Sequence, residues 1–123
     1  LLLLDLDGFK PVNDRYGHEM GDRILRQVAQ RFSRSLPSGA ILARLGGDEF
    51  GVIAVGSDEA TLELASALKA TLSYPFILDG KSISISVSVG HVRNDGKGDL
   101  LHRADLAMYE AKRASAEARA YQP

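Results

Sequence analysis

Gly46-Gly47-Asp48-Glu49-Phe50 lies between two apolar runs, Ala40 to Leu45 and Phe50 to Val55. That pattern predicts two strands joined by a very tight turn, with carboxylates at its edge. Glycine lets such a turn take positive φ and lets another molecule approach the backbone. An acid held there suits a hard metal ion beside a phosphate.

The other segments fit around this hairpin. Leu1 to Leu6 reads as a buried strand ending at Asp5, Asp7 and Gly8. Lys10-Pro11 can open a short helix, since proline is tolerated in a first turn, and Asn13, Asp14 and Gly17 mark a break. A longer helix is expected over His18 to Leu36, where Met20, Ile24, Leu25, Val28, Phe32 and Leu36 share one face. Ser57 can cap a helix running to about Leu72, with Asp58 and Glu59 in its first turn. Asp79-Gly80 is a two-residue hairpin signal between Phe76–Leu78 and a strand over Ser82–Val92. In that strand Ile83, Ile85, Val87 and Val89 alternate with serines, which implies one apolar face and one of small hydroxyls. Asn94 to Gly98 reads as a loop, Asp99 to Ala116 as a last helix, and residues 114–123 as a linker or tail. This order predicts an α/β (α+β) sandwich: one mostly antiparallel central sheet with flanking helices.

The bulk numbers narrow the function. A chain of 123 residues suits a single domain with one core. Its net charge of −1 provides no broad basic field, so nonspecific nucleic-acid or membrane binding is not expected. Any anionic ligand must be held locally, by a metal ion, a few cations and backbone N–H groups. With no cysteine there is no disulfide framework and no thiolate metal site, in keeping with the cytosol. No apolar run approaches the roughly 20 residues of a spanning helix. The chain opens inside an expected strand and is therefore expected to be a piece of something longer.

The chemistry concentrates in carboxylates. Asp5 and Asp7 are two apart on a strand and point alike. If that strand lies beside the glycine hairpin, Asp5 and Asp48 converge. Two carboxylates, a backbone carbonyl and phosphate oxygens suit Mg²⁺, and two ions about 3.5–4 Å apart can stabilise an attacking and a leaving oxygen together. Strand-end acids also serve as solvated turn formers. Backbone N–H groups at the loop leading to Lys10 could hold phosphate, although a lone lysine is commonly just a surface residue. Asn13 and Asp22 could read a guanine edge, amide and carboxylate together; equally, Asn13 could cap and Asp22 could offset a helix N-terminus. His18, His91 and His102 are too scattered for a metal triad.

Several motifs in one order resemble the GGDEF family, the diguanylate cyclases. They are Asp5-Leu6-Asp7-Gly8-Phe9-Lys10, Asn13-Asp14, Tyr16-Gly17-His18, Gly21-Asp22, Arg44 through Phe50, Ser88-Val89-Gly90, and Ala104 through Lys112. The resemblance covers nearly the whole chain, 1–123 as a single domain. The family's N-terminal Leu-Thr-Gly-Leu-type segment would lie before Leu1, so the domain is expected to be truncated there. The resemblance implies a palm-like nucleotide cyclase fold and the condensation of two GTP into cyclic di-GMP with release of two pyrophosphates. It implies two Mg²⁺ (or Mn²⁺) ions per site, held by Asp5, Asp48 and the Leu6 carbonyl. It implies Asn13 and Asp22 on guanine, and Gly8, Phe9, Lys10 and Lys112 on the phosphates. Gly47 would leave room for the nucleotide. Asp48, Glu49 and Lys10 would form the catalytic group, Glu49 assisting deprotonation of the 3′-hydroxyl. Because one domain would hold one GTP, a homodimer of facing domains is implied.

Three departures from the family pattern bear on activity. Pro37 and Ala40 stand where the product-inhibition motif has arginine and aspartate, so no high-affinity inhibitory site is expected. Ser115-Ala116 replaces a Gly-Arg pair that aids triphosphate binding, which predicts weaker GTP binding unless Arg113 or Arg119 substitutes. Gly8 matches members fused to a phosphodiesterase domain of the EAL type. Fused sensory or EAL domains are expected, around a cytoplasmic domain whose parent protein has room for a membrane tether. The alternative to an active cyclase is a weak or inactive GTP-binding module that controls a fused phosphodiesterase.

Overall fold

The computed structural model describes residues 1–93 and 99–120, with side chains described as far as residue 113. Its elements run β1 (Leu2–Asp7), α1 (Phe9–Tyr16), α2 (His18–Ser35), β2 (Ile41–Gly46), β3 (Glu49–Ile53), α3 (Asp58–Thr71), β4 (Phe76–Leu78), β5 (Lys81–Ile83), β6 (Ser86–His91) and α4 (Leu100–Ala120). Four strands form a sheet in the order β2-β3-β1-β6. Every neighbouring pair is antiparallel. β4 and β5 form a separate two-stranded ribbon.

Period-two alternation divides the sheet into two faces. Leu2, Leu4 and Leu6 share the main core with Phe50, Val52, Val87 and Val89. Against them pack Ile24, Leu25, Val28 and Phe32 of α2 and Leu64, Ala65 and Leu68 of α3. Phe32 meets Phe50 edge-to-face, with ring centroids 5.5 Å apart. On the other face Leu3, Ala104 and Met108 form a second, smaller cluster under α4. The result is the expected sandwich, helices on both sides of an antiparallel sheet. Local signals place its ends: the Ser57 hydroxyl accepts from the Ala60 N–H at 3.1 Å to cap α3, and Asp79 and Gly80 take positive φ in the β4–β5 turn.

Four expectations change. The strand over Ser82–Val92 is two strands in two sheets, with its break at Ser84-Ile85. Ile83, Ile85, Val87 and Val89 all stay buried across the break, so the alternation continues and gives no sign of the switch. The hydroxyl face of β6 is only partly left to water: Ser86 is exposed, but Ser88 is 2% exposed. Finally, Asn13 and Asp14 do not break the chain; α1 runs through them to Tyr16, and only Gly17 separates α1 from α2. The last helix extends past Ala116 to Ala120. The expected loop over residues 94–98 and the last three residues of the expected tail lie outside the described residues. Among the described residues no helix is long and apolar enough to cross a membrane.

Candidate active site

The site begins where β1 ends and β3 starts. Antiparallel register sets Asp5 opposite Glu49 on one side and opposite Ser88 on the other. Residues directly opposed in such a pair share a face, so Asp5, Glu49 and Ser88 look the same way as Leu3 and Gly90. The Leu6 N–H donates to the Asp48 carbonyl at 3.0 Å, which ties the diglycine turn to β1. Gly47 carries that turn at φ +42, a left-handed conformation that favours glycine. Its carbonyl accepts two hydrogen bonds from Arg44, from Nε at 3.0 Å and from Nη2 at 2.8 Å.

A lysine from the opposite layer completes the cluster. Lys112 Nζ on α4 lies 3.1 Å from Asp5 Oδ2 and 3.6 Å from Asp7 Oδ1. Asp7 is fixed in turn by Ser88, whose Oγ donates to Asp7 Oδ2 at 2.7 Å. Asp5 Oδ1 is buried without a hydrogen-bond partner. Burial raises the Asp5 pKa above its ordinary value; Lys112 opposes that and the charges of Asp48 and Asp7 add to it. Glu49 is raised as well, by burial first and then by Asp5, Asp105 and Asp48. For Lys112 burial pulls downward, but the hydrogen bond to Asp5 and the charges of Asp5, Asp7 and Asp48 outweigh it and lift the ammonium upward.

These donors fit a hard divalent cation. The unpartnered Asp5 oxygen, the neighbouring Asp48 and the local backbone carbonyls are all oxygen ligands. Among the described residues no group of three or more His, Cys, Asp or Glu side chains gathers as a metal site. An ion here would therefore complete its shell from a ligand and water, as Mg²⁺ characteristically does with phosphates.

Directly after β1, Gly8 forms the N-cap of α1 in a left-handed conformation. No side chain caps this helix and its first turn holds no acid, so its leading N–H groups are free to face an anion. Lys10 is exposed beside them. The Phe9 side chain is instead buried in the main core, which leaves only its backbone for a phosphate. Asn13 is half-buried on α1 and its Oδ1 has no partner. Asp22 is exposed on α2 at a cleft of about 430 Å³, bordered also by Arg26, Arg44 and Phe50. A second cleft of about 430 Å³ lies at the far end of the sheet, around Ile53, Asp58, His91 and Leu100, away from Asp5 and Asp48.

The structure thus gathers Asp5, Asp48, Glu49 and Lys112 in one charged cluster. Gly8, Phe9, Lys10, Asn13 and Asp22 lie on the α1–α2 pair that leaves β1 at the same end. Sequence reasoning gave no role to Arg44 or to the Asp7–Ser88 pair. The signal for the latter was present: Ser88 belongs to the hydroxyl face, and that face turns toward Asp5 and Asp7. Arg113 pairs with Glu110 Oε2 at 3.6 Å, and the side chain of Arg119 lies outside the described residues.

A family model described as "Diguanylate cyclase, GGDEF domain" matches residues 1–118. The chain is 40% identical over 117 residues to the bifunctional diguanylate cyclase/cyclic di-GMP phosphodiesterase MucR of Pseudomonas aeruginosa, covering 91% of this chain and 17% of that protein. It is 41% identical over 122 residues to the diguanylate cyclase TpbB of the same species, covering 92% and 28%. The chain therefore spans only a minor part of these relatives. The crystal structure of the GGDEF domain of YfiN (TpbB) superposes with a TM-score of 0.86 at 40% identity, over 92% of this chain and 74% of that one.

Proposed function

Because this chain belongs to the GGDEF family, whose model spans residues 1–118, we propose that it is the catalytic domain of a diguanylate cyclase. Two GTP molecules become cyclic di-GMP. Each 3′-oxygen bonds to the other nucleotide's α-phosphorus, the bond from that phosphorus to the bridging oxygen breaks, and pyrophosphate leaves. The observation that carries the reading is the buried, unpartnered Asp5 Oδ1 beside the turn that holds Asp48. A buried carboxylate oxygen left so is a cation ligand in waiting, since burying a polar atom without a partner is costly.

In this reading Asp5, Asp48 and the Leu6 carbonyl hold Mg²⁺ or Mn²⁺, two ions per site. When bound, the metal neutralises triphosphate charge and acidifies the 3′-hydroxyl. The first N–H groups of α1 and the Lys10 ammonium hold the phosphates, with the helix dipole adding to both. Lys112 contributes positive charge from the other layer. Asn13 and Asp22 receive guanine. Glu49, whose affinity for protons is raised by burial and neighbouring acids, accepts the 3′-hydroxyl proton. Such transfer depends on positioning and charge neutralisation more than on covalent chemistry. One site holds one GTP, so two domains face each other.

Relatives named as diguanylate cyclases weigh for an enzyme over a purely regulatory GTP-binding module. The test is incubation of the full-length protein with GTP and Mg²⁺, with products resolved by mass spectrometry. Cyclic di-GMP is expected from the wild type and none from Asp48→Ala. Bound GTP without product would refute the reading.

A further inference from the structure

Gly21 is the fourth residue of α2, buried, where the first turn closes on the Gly17 carbonyl at 3.1 Å. Glycine in a helix is disfavoured relative to alanine, so its presence calls for a local reason. The reason is Asn13. A methyl group on Gly21 would collide with Asn13 Oδ1, and it would lie 3.0 Å from Asn13 Cγ and 3.3 Å from Phe9 Cζ. The Asn13 amide is therefore laid against the bare Cα of Gly21, in the seam between α1 and α2. Its backbone is held by the corner that follows, where the Asn13 carbonyl accepts the Gly17 N–H at 2.8 Å. In this seat the Asn13 Oδ1 is buried and has no hydrogen-bond partner, and the next residue on α2, Asp22, is exposed.

We infer that Gly21 is a specificity-determining position: by lacking a side chain it takes Asn13 Oδ1 into the seam, which fixes the amide and leaves its NH2 edge to donate to a nucleobase. The inference rests on the proposed GTP site and assigns a cause to its selectivity. Guanine offers N–H donors at N1 and N2 and acceptors at O6 and N3, which an amide and a carboxylate can satisfy together. Adenine cannot donate from N1, lacks the 2-amino group and carries an amino group in place of O6, so the Asp22 carboxylate and the seated Asn13 NH2 would both be left unpaired against it. A site built on hydrogen bonds rejects such an analogue strongly because its own polar groups lose their partners. Gly21 touches no base itself and acts through Asn13, so it is a positioning residue.

Stability and recognition should respond in opposite directions, which separates this role from a structural one. In the full-length protein with Mg²⁺, binding of α,β-methylene GTP and of α,β-methylene ATP is measured by calorimetry, beside thermal melting. Gly21→Ala favours helix and the atoms it displaces belong to the Asn13 side chain and the far end of Phe9, not to backbone, so its melting temperature is expected to be unchanged or higher. Its affinity for the GTP analogue is expected to fall about tenfold, with a smaller preference over the ATP analogue. Asn13→Ala should show the same loss, and the double variant should be no worse than Asn13→Ala, because the two act through one contact. A Gly21→Ala protein that binds and discriminates like the wild type overturns the inference. So does a double variant with additive losses. If Gly21→Ala does not fold, refolding in the double variant supports the seat, and its absence overturns it in favour of packing against Phe9. A wild type that fails to bind the GTP analogue overturns the proposed function and this inference with it.

Discussion

Lys112 Nζ sits 3.1 Å from Asp5 Oδ2, spanning from the helix layer to the sheet at the point where the carboxylates crowd. Its ammonium also reaches Asp7 at 3.6 Å, and Asp7 is itself hydrogen-bonded to Ser88, while Asp5 Oδ1 stays unmet. The lysine therefore serves as an internal counter-ion to a cluster that would otherwise repel a substrate carrying several negative charges.

That pairing makes Lys112→Met informative. Without its ammonium, Asp5 and Asp7 face each other uncompensated, so the variant should melt at a lower temperature than the wild type in EDTA. A half-exposed pair contributes at most about 1 kcal/mol, so the decrease should be small. A divalent cation replaces the missing charge, and titration with Mn²⁺ should raise the melting temperature of Lys112→Met more than that of the wild type. Turnover with saturating Mn²⁺ should still fall, by about 10²-fold, since a positive group aimed at transferring phosphate is gone. Equal Mn²⁺ shifts in the two proteins would show that Lys112 and the cation do not compete for the same carboxylates.

The placement of Lys112 depends on how closely α4 approaches β6, and Gly90 sets that distance. A methyl group on Gly90 would collide with the backbone N of Met108 and come within 2.7 Å of Ala107 C. Backbone in a packed helix cannot step aside as a side chain can, so Gly90→Ala must push α4 off the sheet. The expected cost is about 1–3 kcal/mol, the usual range for overpacking, read as a lower urea midpoint. Activity should fall in the fraction that remains folded, because Lys112 moves with the helix. Unchanged stability would mean that α4 does not lie against β6 as described.

Much of this architecture is legible in the residues, and the exceptions have physical causes. The hairpin at Gly46-Gly47 and the apolar stripe of α2 are local patterns, and local patterns survive folding. Asp5 and Asp48 are far apart in sequence, yet their approach follows once β1 is placed beside β3. What periodicity could not reveal is the strand that changes sheets at Ser84-Ile85, because both sheets bury the same side of the chain. Nor could it reveal that Ser88 lies under a helix. Serines alternating with aliphatics look like a wet face, and only the arrival of α4 makes Ser88 a buried donor to Asp7. Phe9 sits in a motif whose neighbours face a ligand, but burial of a phenyl ring outweighs that, and the side chain turns inward.

Glu49 gives a pH signature. Its native pKa is raised by burial and by Asp5, Asp105 and Asp48, so the folded state holds the proton more tightly than the unfolded chain. Stability is then fully present in acid and is lost as pH rises from the ordinary carboxylate range through the raised native value. Glu49→Gln removes that loss. In metal-free buffer the variant should melt higher than the wild type at pH 7, and the advantage should shrink as the pH falls below the raised native pKa of Glu49 and vanish below the ordinary carboxylate range. A pH-independent difference would assign the effect to packing. In the same variant turnover should drop, because the amide cannot accept the 3′-hydroxyl proton.

The last expectation concerns the count of sites. Among the described residues each chain presents one carboxylate cluster around Asp5 and one α1 N-terminus beside it, enough for a single triphosphate. Each 3′-hydroxyl in the product must reach an α-phosphate held by another copy. Specific activity should therefore rise with protein concentration and level off once the facing pair predominates, as mass action on a dimer requires. Mixing inactive Asp48→Ala chains into wild type at fixed wild-type concentration should then suppress product, since mixed pairs carry only one competent site. Specific activity that stays constant on dilution into the monomeric range, measured alongside light scattering, would rule out the facing arrangement.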